Sequence, residues 1–319
     1  MENRTAGIRK SYRIAGNVFL FAAFLACAYL INNYFFTYPV VVSVLKGAAL
    51  IGVLAIAESM VLALGGLDLS IAGTSLLSST AVFYFVETGG AGVFPAALTG
   101  IAAACAVGLI NGIFVTKLGI QPVIATLGTS LFARGVAGAI TNNISIFDTR
   151  PEFDAFKTTI SFIPVSLVIA LIIMGICYLV FRLTVAGRQI YAVGGSEKSA
   201  KLSGLNVDVI KIYTYTAAGL ISGIGGLLVL ADSTMSARFF SAGAELEIIF
   251  AAILGGVSLY SGAKIFFRTF VGAGVIAVIN RLIYGLFVFN YMRAIVVGLL
   301  FLIVLALKKN MFKGEKKTD

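Results

Sequence analysis

Residues 41–64 read VVSVLKGAALIGVLAIAESMVLAL, a run in which Lys46 and Glu58 are the only charges. About 20 consecutive apolar residues, wound as a helix, cross the roughly 30 Å of hydrocarbon in a bilayer. This run is therefore read as a membrane span. Charge, proline and turn residues mark off nine more, near 14–33, 69–87, 92–115, 122–141, 163–182, 207–231, 245–258, 265–285 and 289–307. The 245–258 run is too short to cross as a straight helix. The expected fold is all-α: one polytopic transmembrane domain over 1–319, a bundle of about ten helices.

Composition agrees. Of 319 residues, 59% are hydrophobic and 12% charged, and mean hydropathy is +1.01. A soluble domain carries about 25% charged residues, so lipid must solvate much of this chain. The net charge of +10 lies in short clusters beside the apolar runs. That pattern records topology and contact with anionic lipid rather than nucleic-acid binding. Arg4, Arg9, Lys10 and Arg13 precede the first run, and Lys308, Lys309, Lys313, Lys316 and Lys317 follow the last. Both termini are thus expected in the cytoplasm, which requires an even number of crossings. Ten satisfies this, and so does eight. With ten, Lys117 and the 183–206 loop fall inside, and the mixed-charge 142–162 segment falls outside. The N-terminal run is read as a retained span rather than a cleaved leader.

Chemistry-bearing residues are scarce. The chain has no histidine, and Cys27, Cys105 and Cys177 each lie within an apolar run, as small core hydrophobes do. The sequence holds no G-x-x-x-x-G-K-[ST] phosphate loop. No catalytic residue, metal site or cofactor is expected, and any ATP hydrolysis must come from a partner.

The 183–206 loop carries the most local information. Gly194 and Gly195 break a preceding helix, Ser196 is a good N-cap, and Glu197 follows where the helix dipole favours an anion. Lys198, Ser199, Ala200, Lys201, Leu202 and Ser203 continue the helix, and Gly204 can stop it in the left-handed conformation. Two turns of helix are unstable alone, so this one needs a docking surface. That surface is its own bundle, lipid headgroups or a partner.

The loop 187–205 closely resembles the cytoplasmic loop of permease subunits in the ribose/galactose-type family of ATP-binding-cassette importers. Gly65-Gly66-Leu67-Asp68-Leu69-Ser70-Ile71-Ala72-Gly73 is similar to that family's G-G-x-D-L-S-x-G stretch. Gln121-Pro122-Val123-Ile124-Ala125-Thr126-Leu127-Gly128-Thr129, followed by Ala133-Arg134-Gly135, resembles its Q-P-F-I-x-T-L-G block. Glu245-Leu246 and Ala251-Ala252-Ile253-Leu254-Gly255-Gly256-Val257-Ser258-Leu259 resemble its E-L-x-x-I-A-A-x-x-x-G-G-x-S-L run. The blocks occur in order between about 40 and 307. The resemblance implies a pore subunit in a bacterial or archaeal cell membrane, carrying a sugar or related small polar solute. It implies three partners: a cytoplasmic ATPase, an extracytoplasmic binding protein and a second permease, identical or related. The helix within 194–204 would then couple the ATPase to the pore. Two departures bear on cargo and pairing: Tyr260-Ser261-Gly262-Ala263-Lys264 replaces a glycine-rich stretch, and Asn280 is followed by Arg281 where the family usually has glycine. Arg293 is a further unusual charge.

Glu58, Asp68, Arg134, Asn280 and Arg281 are the candidate pathway or structural groups within the bundle. Intramembrane charges are costly and face a cavity or a partner. Asp68 is expected either to cap the next helix or to face the pathway, and Glu58 to pair with Arg134 or Arg281. A secondary transporter or channel and a membrane enzyme are the competing classes. The first leaves the capped loop helix unexplained, and the second lacks catalytic residues. In a background without Cys27, Cys105 and Cys177, Ser196→Cys should resist an impermeant maleimide applied to intact cells. Ready labelling from outside would reject a cytoplasmic loop.

Overall fold

Pro39 lies in the first turn of helix α1, Tyr38–Ala63, where its missing N–H costs no intrahelical bond. The computed structural model describes residues 29, 33–144, 158–231, 243–255, 265–286, 295–299 and 302. After α1 come α2 (Ile71–Glu87), α3 (Val93–Thr116) and α4 (Pro122–Thr141). A hairpin follows, β1 (Thr159–Ile160) and β2 (Ile163–Pro164), antiparallel with Ile160 opposite Ile163. Then come α5 (Val165–Leu183), α6 (Val185–Gly195), α7 (Glu197–Leu202), α8 (Val207–Ala231), α9 (Ala244–Leu254) and α10 (Ile265–Leu286).

Six of these helices, α1, α3, α4, α5, α8 and α10, are long and apolar enough to cross a membrane, and α2 is apolar but shorter. Helices lie on every expected run between 41 and 285, shifted by a few residues at their ends. The expected spans 14–33 and 289–307 fall mostly outside the described residues. So do the terminal charges, Cys27, the charged part of the 142–162 segment, Tyr260–Lys264 and Arg293. One element was not foreseen as a helix: α6, eleven residues beginning where Thr184 Oγ1 accepts the Gly187 amide at 3.3 Å.

Helix α1 is the central post. It packs on α5, α8, α9 and α10, and Leu54, Ile56 and Ala57 on it are fully enclosed. Contacts sort the helix ends into two groups. Tyr38, at the start of α1, donates its hydroxyl to the Ser161 carbonyl in the hairpin at 3.0 Å. At the other end of α1, the Ala63 carbonyl packs against Gly194. Lys117, just after α3, pairs with Asp208 at the start of α8 at 2.8 Å.

The α3–α8 pair is the tightest seam. A Cβ placed on Gly219 would stand 2.5 Å from the Ala104 carbonyl oxygen, and one on Gly112 2.7 Å from Ile212 Cα. Lipid tails are as apolar as leucine, so helices in a bilayer associate by close contact rather than by burial from water. Gly219 and Gly223, four residues apart on α8, thus let its backbone close on α3 at Ala104 and Ile101. Gly128, on the outward face of α4, has open space around it. Gly219→Val should destabilise the fold by about 1–3 kcal/mol through overpacking, and Gly128→Val by less than about 1 kcal/mol. Unfolding of both variants in mixed detergent micelles measures the contrast.

Candidate functional site

The Gly-Gly-Leu-Asp-Leu-Ser stretch forms the turn between α1 and α2. Gly65 takes a left-handed φ of +87°, and its amide and that of Gly66 bond back to Leu62 and Val61 carbonyls at 3.0 and 2.9 Å. Asp68 Oδ1 accepts from both the Ser70 amide, at 2.8 Å, and the Ser70 hydroxyl, at 2.6 Å. The turn is then bound to two other helices. Asn111 of α3 donates to Ser70 Oγ at 2.8 Å and accepts from the Thr129 hydroxyl of α4 at 2.7 Å. The Leu69 amide donates to Thr126 Oγ1 at 3.0 Å. Asp68, Ser70, Asn111, Thr126 and Thr129 are all buried. Asp68 therefore organises the entry to α2 from two residues before the N-cap, Ser70.

Glu58 reaches this turn from within α1. Its Oε1 accepts the Asp68 amide at 3.4 Å, and it is fully buried. Oε2 has no hydrogen-bond partner among the described residues, nor has the buried hydroxyl of Tyr215 on α8. The expected pairing of Glu58 with Arg134 or Arg281 does not occur. Arg134 Nε instead donates to Glu245 Oε1 at 3.0 Å, and Ser130 lies 3.4 Å from the same oxygen. Asn280 donates to Glu247 at 2.9 Å. Arg281 is half-buried on α10 and makes no ion pair with Glu58. Arginine prefers a carboxylate it can grip with its planar fork. Glu245, opening α9, offers one, with its other oxygen accepting the Gly243 amide at 3.2 Å.

The loop helix α7 forms with both expected ends. Ser196 Oγ accepts the Ser199 amide at 3.2 Å. At the far end Gly204 has φ +81°. The Leu205 amide bonds to the Ala200 carbonyl and the Gly204 amide to that of Lys201, at 3.1 and 3.0 Å, which is the paired closure of a Schellman end. Glu197 pairs with Lys201 at 3.1 Å and with Lys211 of α8 at 2.8 Å. The Lys211 hydrogen bond, helped by Lys201 and opposed by some desolvation, holds the Glu197 carboxyl below its usual range. Ala200 turns inward and is 4% exposed, whereas Leu202 is 82% exposed. The helix thus rests on its own bundle through Ala200 and presents Leu202 outward.

Gly194 and Gly195, read as helix breakers, are instead the last turn of α6. A Cβ on Gly194 would overlap the Ala63 carbonyl. One on Gly65 would lie 3.7 Å from Gly194 Cα, while Gly195 has open space. The loop and the α1–α2 turn, 130 residues apart, thus touch backbone to backbone. No local spacing signals this contact. A groove of about 460 Å³ between α3 and α4, walled by Ile110, Phe114, Ile124 and Phe132 among others, is almost wholly carbon-lined.

The family described as branched-chain amino acid transport system / permease component matches residues 40–305. The ribose import permease protein of Escherichia coli strain K12 is 32% identical over 278 residues, 84% of this chain and 85% of the relative. The galactofuranose transporter permease protein of the same strain is 32% identical over 288 residues, 87% and 83%. The ribose import permease protein of Haemophilus influenzae is 28% identical over 298 residues, 92% and 91%.

Arg134→Gln and Glu245→Gln, singly, should each destabilise the protein by about 3 kcal/mol, the lower end for a broken buried pair, since both side chains keep some solvent contact. The double variant should cost clearly less than the sum. Glu58→Gln combined with Arg134→Gln should be additive. Coupling between Glu58 and Arg134 would contradict this assignment.

Proposed function

The chain belongs to the branched-chain amino acid transport system / permease component family, and from that premise we propose that it carries a monosaccharide, a pentose or hexose, rather than an amino acid. It is a multi-pass permease subunit of an ATP-binding-cassette importer. The sugar reading is supported by its relatives, whose names specify ribose, galactofuranose, allose and arabinose. The carbon-lined groove between α3 and α4 suits lipid or another helix better than a polar solute.

The observation that carries the coupling role is the exposure of Leu202, 82%, on a helix closed at both ends by hydrogen bonds. A large apolar side chain held out on a rigid two-turn helix is a docking feature, of the kind that seats a helix in a partner's apolar groove. In this reading α7 seats in a groove of a separate ATPase. That subunit hydrolyses ATP, and an extracytoplasmic binding protein delivers the sugar. Both termini and α7 face the cytoplasm. Within 194–204, Ser196 and Gly204 shape the helix, Ala200 anchors it to its own bundle, and Lys198, Ser199, Leu202 and Ser203 are left for the partner.

Leu202→Asp should weaken co-purification with the cognate ATPase by roughly tenfold or more, the loss of about 1.4 kcal/mol or more at an interface. Thermal unfolding of the permease itself should be unchanged. Full retention of the ATPase would refute α7 as its docking element. Ala200→Asp should by contrast lower permease stability first, since it places a charge against the bundle.

A further inference from the structure

We infer that Gly194 is a positioning residue for transport: its backbone contact with Ala63 and Leu64 transmits movement of the cytoplasmic loop to the buried turn at Glu58 and Asp68. This rests on the reading of α7 as the ATPase-coupling helix.

The contact has three properties that suit it to transmission. It is backbone on backbone. A Cβ on Gly194 would overlap the Ala63 carbonyl and stand 3.1 Å from the Leu64 carbonyl carbon. A side chain between the two elements could absorb a displacement by changing rotamer, but two abutting main chains cannot. Close-packed interiors pass strain on. The driving side is also stiff. Helix α6 runs into α7 through the single residue Ser196, and α7 is tied to α8 by Glu197–Lys211. Finally, the receiving side is poised. Ala63 ends α1 five residues after Glu58, a rise of about 7.5 Å, and Gly65 opens the turn that ends at Asp68.

The bond that joins Glu58 to this turn is long. The Asp68 amide lies 3.4 Å from Glu58 Oε1, whereas Ser70 and Asn111 make bonds of 2.6–2.8 Å. Hydrogen bonds of that length are weak. Beside it are two buried atoms with unused bonding capacity. Glu58 Oε2 and Tyr215 Oη have no partner among the described residues, and a Cβ on Gly66 would stand 2.7 Å from that tyrosine oxygen. A cluster with a weak link and spare acceptors can settle into a second arrangement, which is what a transmitting element requires. Through Asn111 and Thr126 the same turn grips α3 and α4, so its rearrangement reaches the membrane helices.

The test uses the whole transporter in proteoliposomes, with its cognate ATPase and binding protein. Uptake of radiolabelled D-ribose, D-galactose and L-arabinose is measured beside ATP hydrolysis, with the ratio taken for whichever sugar the unmodified transporter accumulates. Gly194→Ala should keep the ATPase bound and lower sugar moved per ATP about fivefold or more, the usual lower range of a coupling effect. Gly195→Ala, one residue on and in open space, should behave as the unmodified protein. A wild-type ratio for Gly194→Ala, an equal loss in Gly195→Ala, or release of the ATPase by Gly194→Ala overturns the inference.

Should Gly194→Ala fail to assemble, amide hydrogen exchange in the unmodified complex decides. Exchange at residues 66–70 should change when the ATPase is closed with a non-hydrolysable ATP analogue, and unchanged exchange there overturns the inference. Leu202→Asp separates this inference from the reading beneath it. If that variant keeps both ATPase and coupling, the coupling-helix assignment fails, whatever happens at Gly194.

Discussion

A carboxylate held away from water must find donors nearby, and Asp68 finds two on one residue, the amide and hydroxyl of Ser70. That grip fixes the turn after α1. Much of the bundle then follows from where the turn sits. With Ser70 held, its hydroxyl accepts from Asn111, and Asn111 in turn accepts from Thr129. One chain of hydrogen bonds thus runs from the α1–α2 turn through α3 to α4. In a medium of low dielectric each such bond is strengthened, and each unpaired group is correspondingly costly. The network is therefore a poor place for partial change, which suits a junction where several helices must keep register.

The stretches that resembled a known family in sequence turn out to meet in space. Thr126 accepts the Leu69 amide, and Gly73 packs against Ser130. Arg134 holds Glu245, and Gly194 rests on Ala63. The motifs are thus contact surfaces between helices, and small or hydrogen-bonding residues recur in them because backbones come close there.

Legibility in the sequence followed the range of the interaction. The spans between 41 and 285 were readable because the bilayer imposes one length and one polarity on any crossing helix. The ends of α7 were readable because capping is settled within a few residues: Ser196 reaches only to Ser199, and Gly204 answers only to its own φ. The charge pairs were not readable. Glu245, 111 residues from Arg134, competes with Glu58 on equal terms in any sequence-based argument, and only the packing of α4 beside α9 decides between them. Helix α6 was missed because glycines at 194 and 195 were weighed as breakers, although Ile190 and Val193 bury one face of it. The inward turn of Ala200 likewise depends on the bundle beneath it.

Helix lengths at the same turn bear on what keeps its carboxylates from water. At 1.5 Å per residue, the 26 residues of α1 rise about 39 Å and the 17 of α2 about 26 Å. A hydrocarbon layer of about 30 Å fits neither. A spanning helix of the first length accommodates by leaning, whereas α2 is mostly buried among other helices and meets its shortfall against protein rather than lipid. One end of α2 is the turn that holds Asp68 and meets Glu58. The carboxylates there are thus kept dry by neighbouring helices, Glu58 being fully buried and Asp68 nearly so, rather than by any match of helix length to the bilayer.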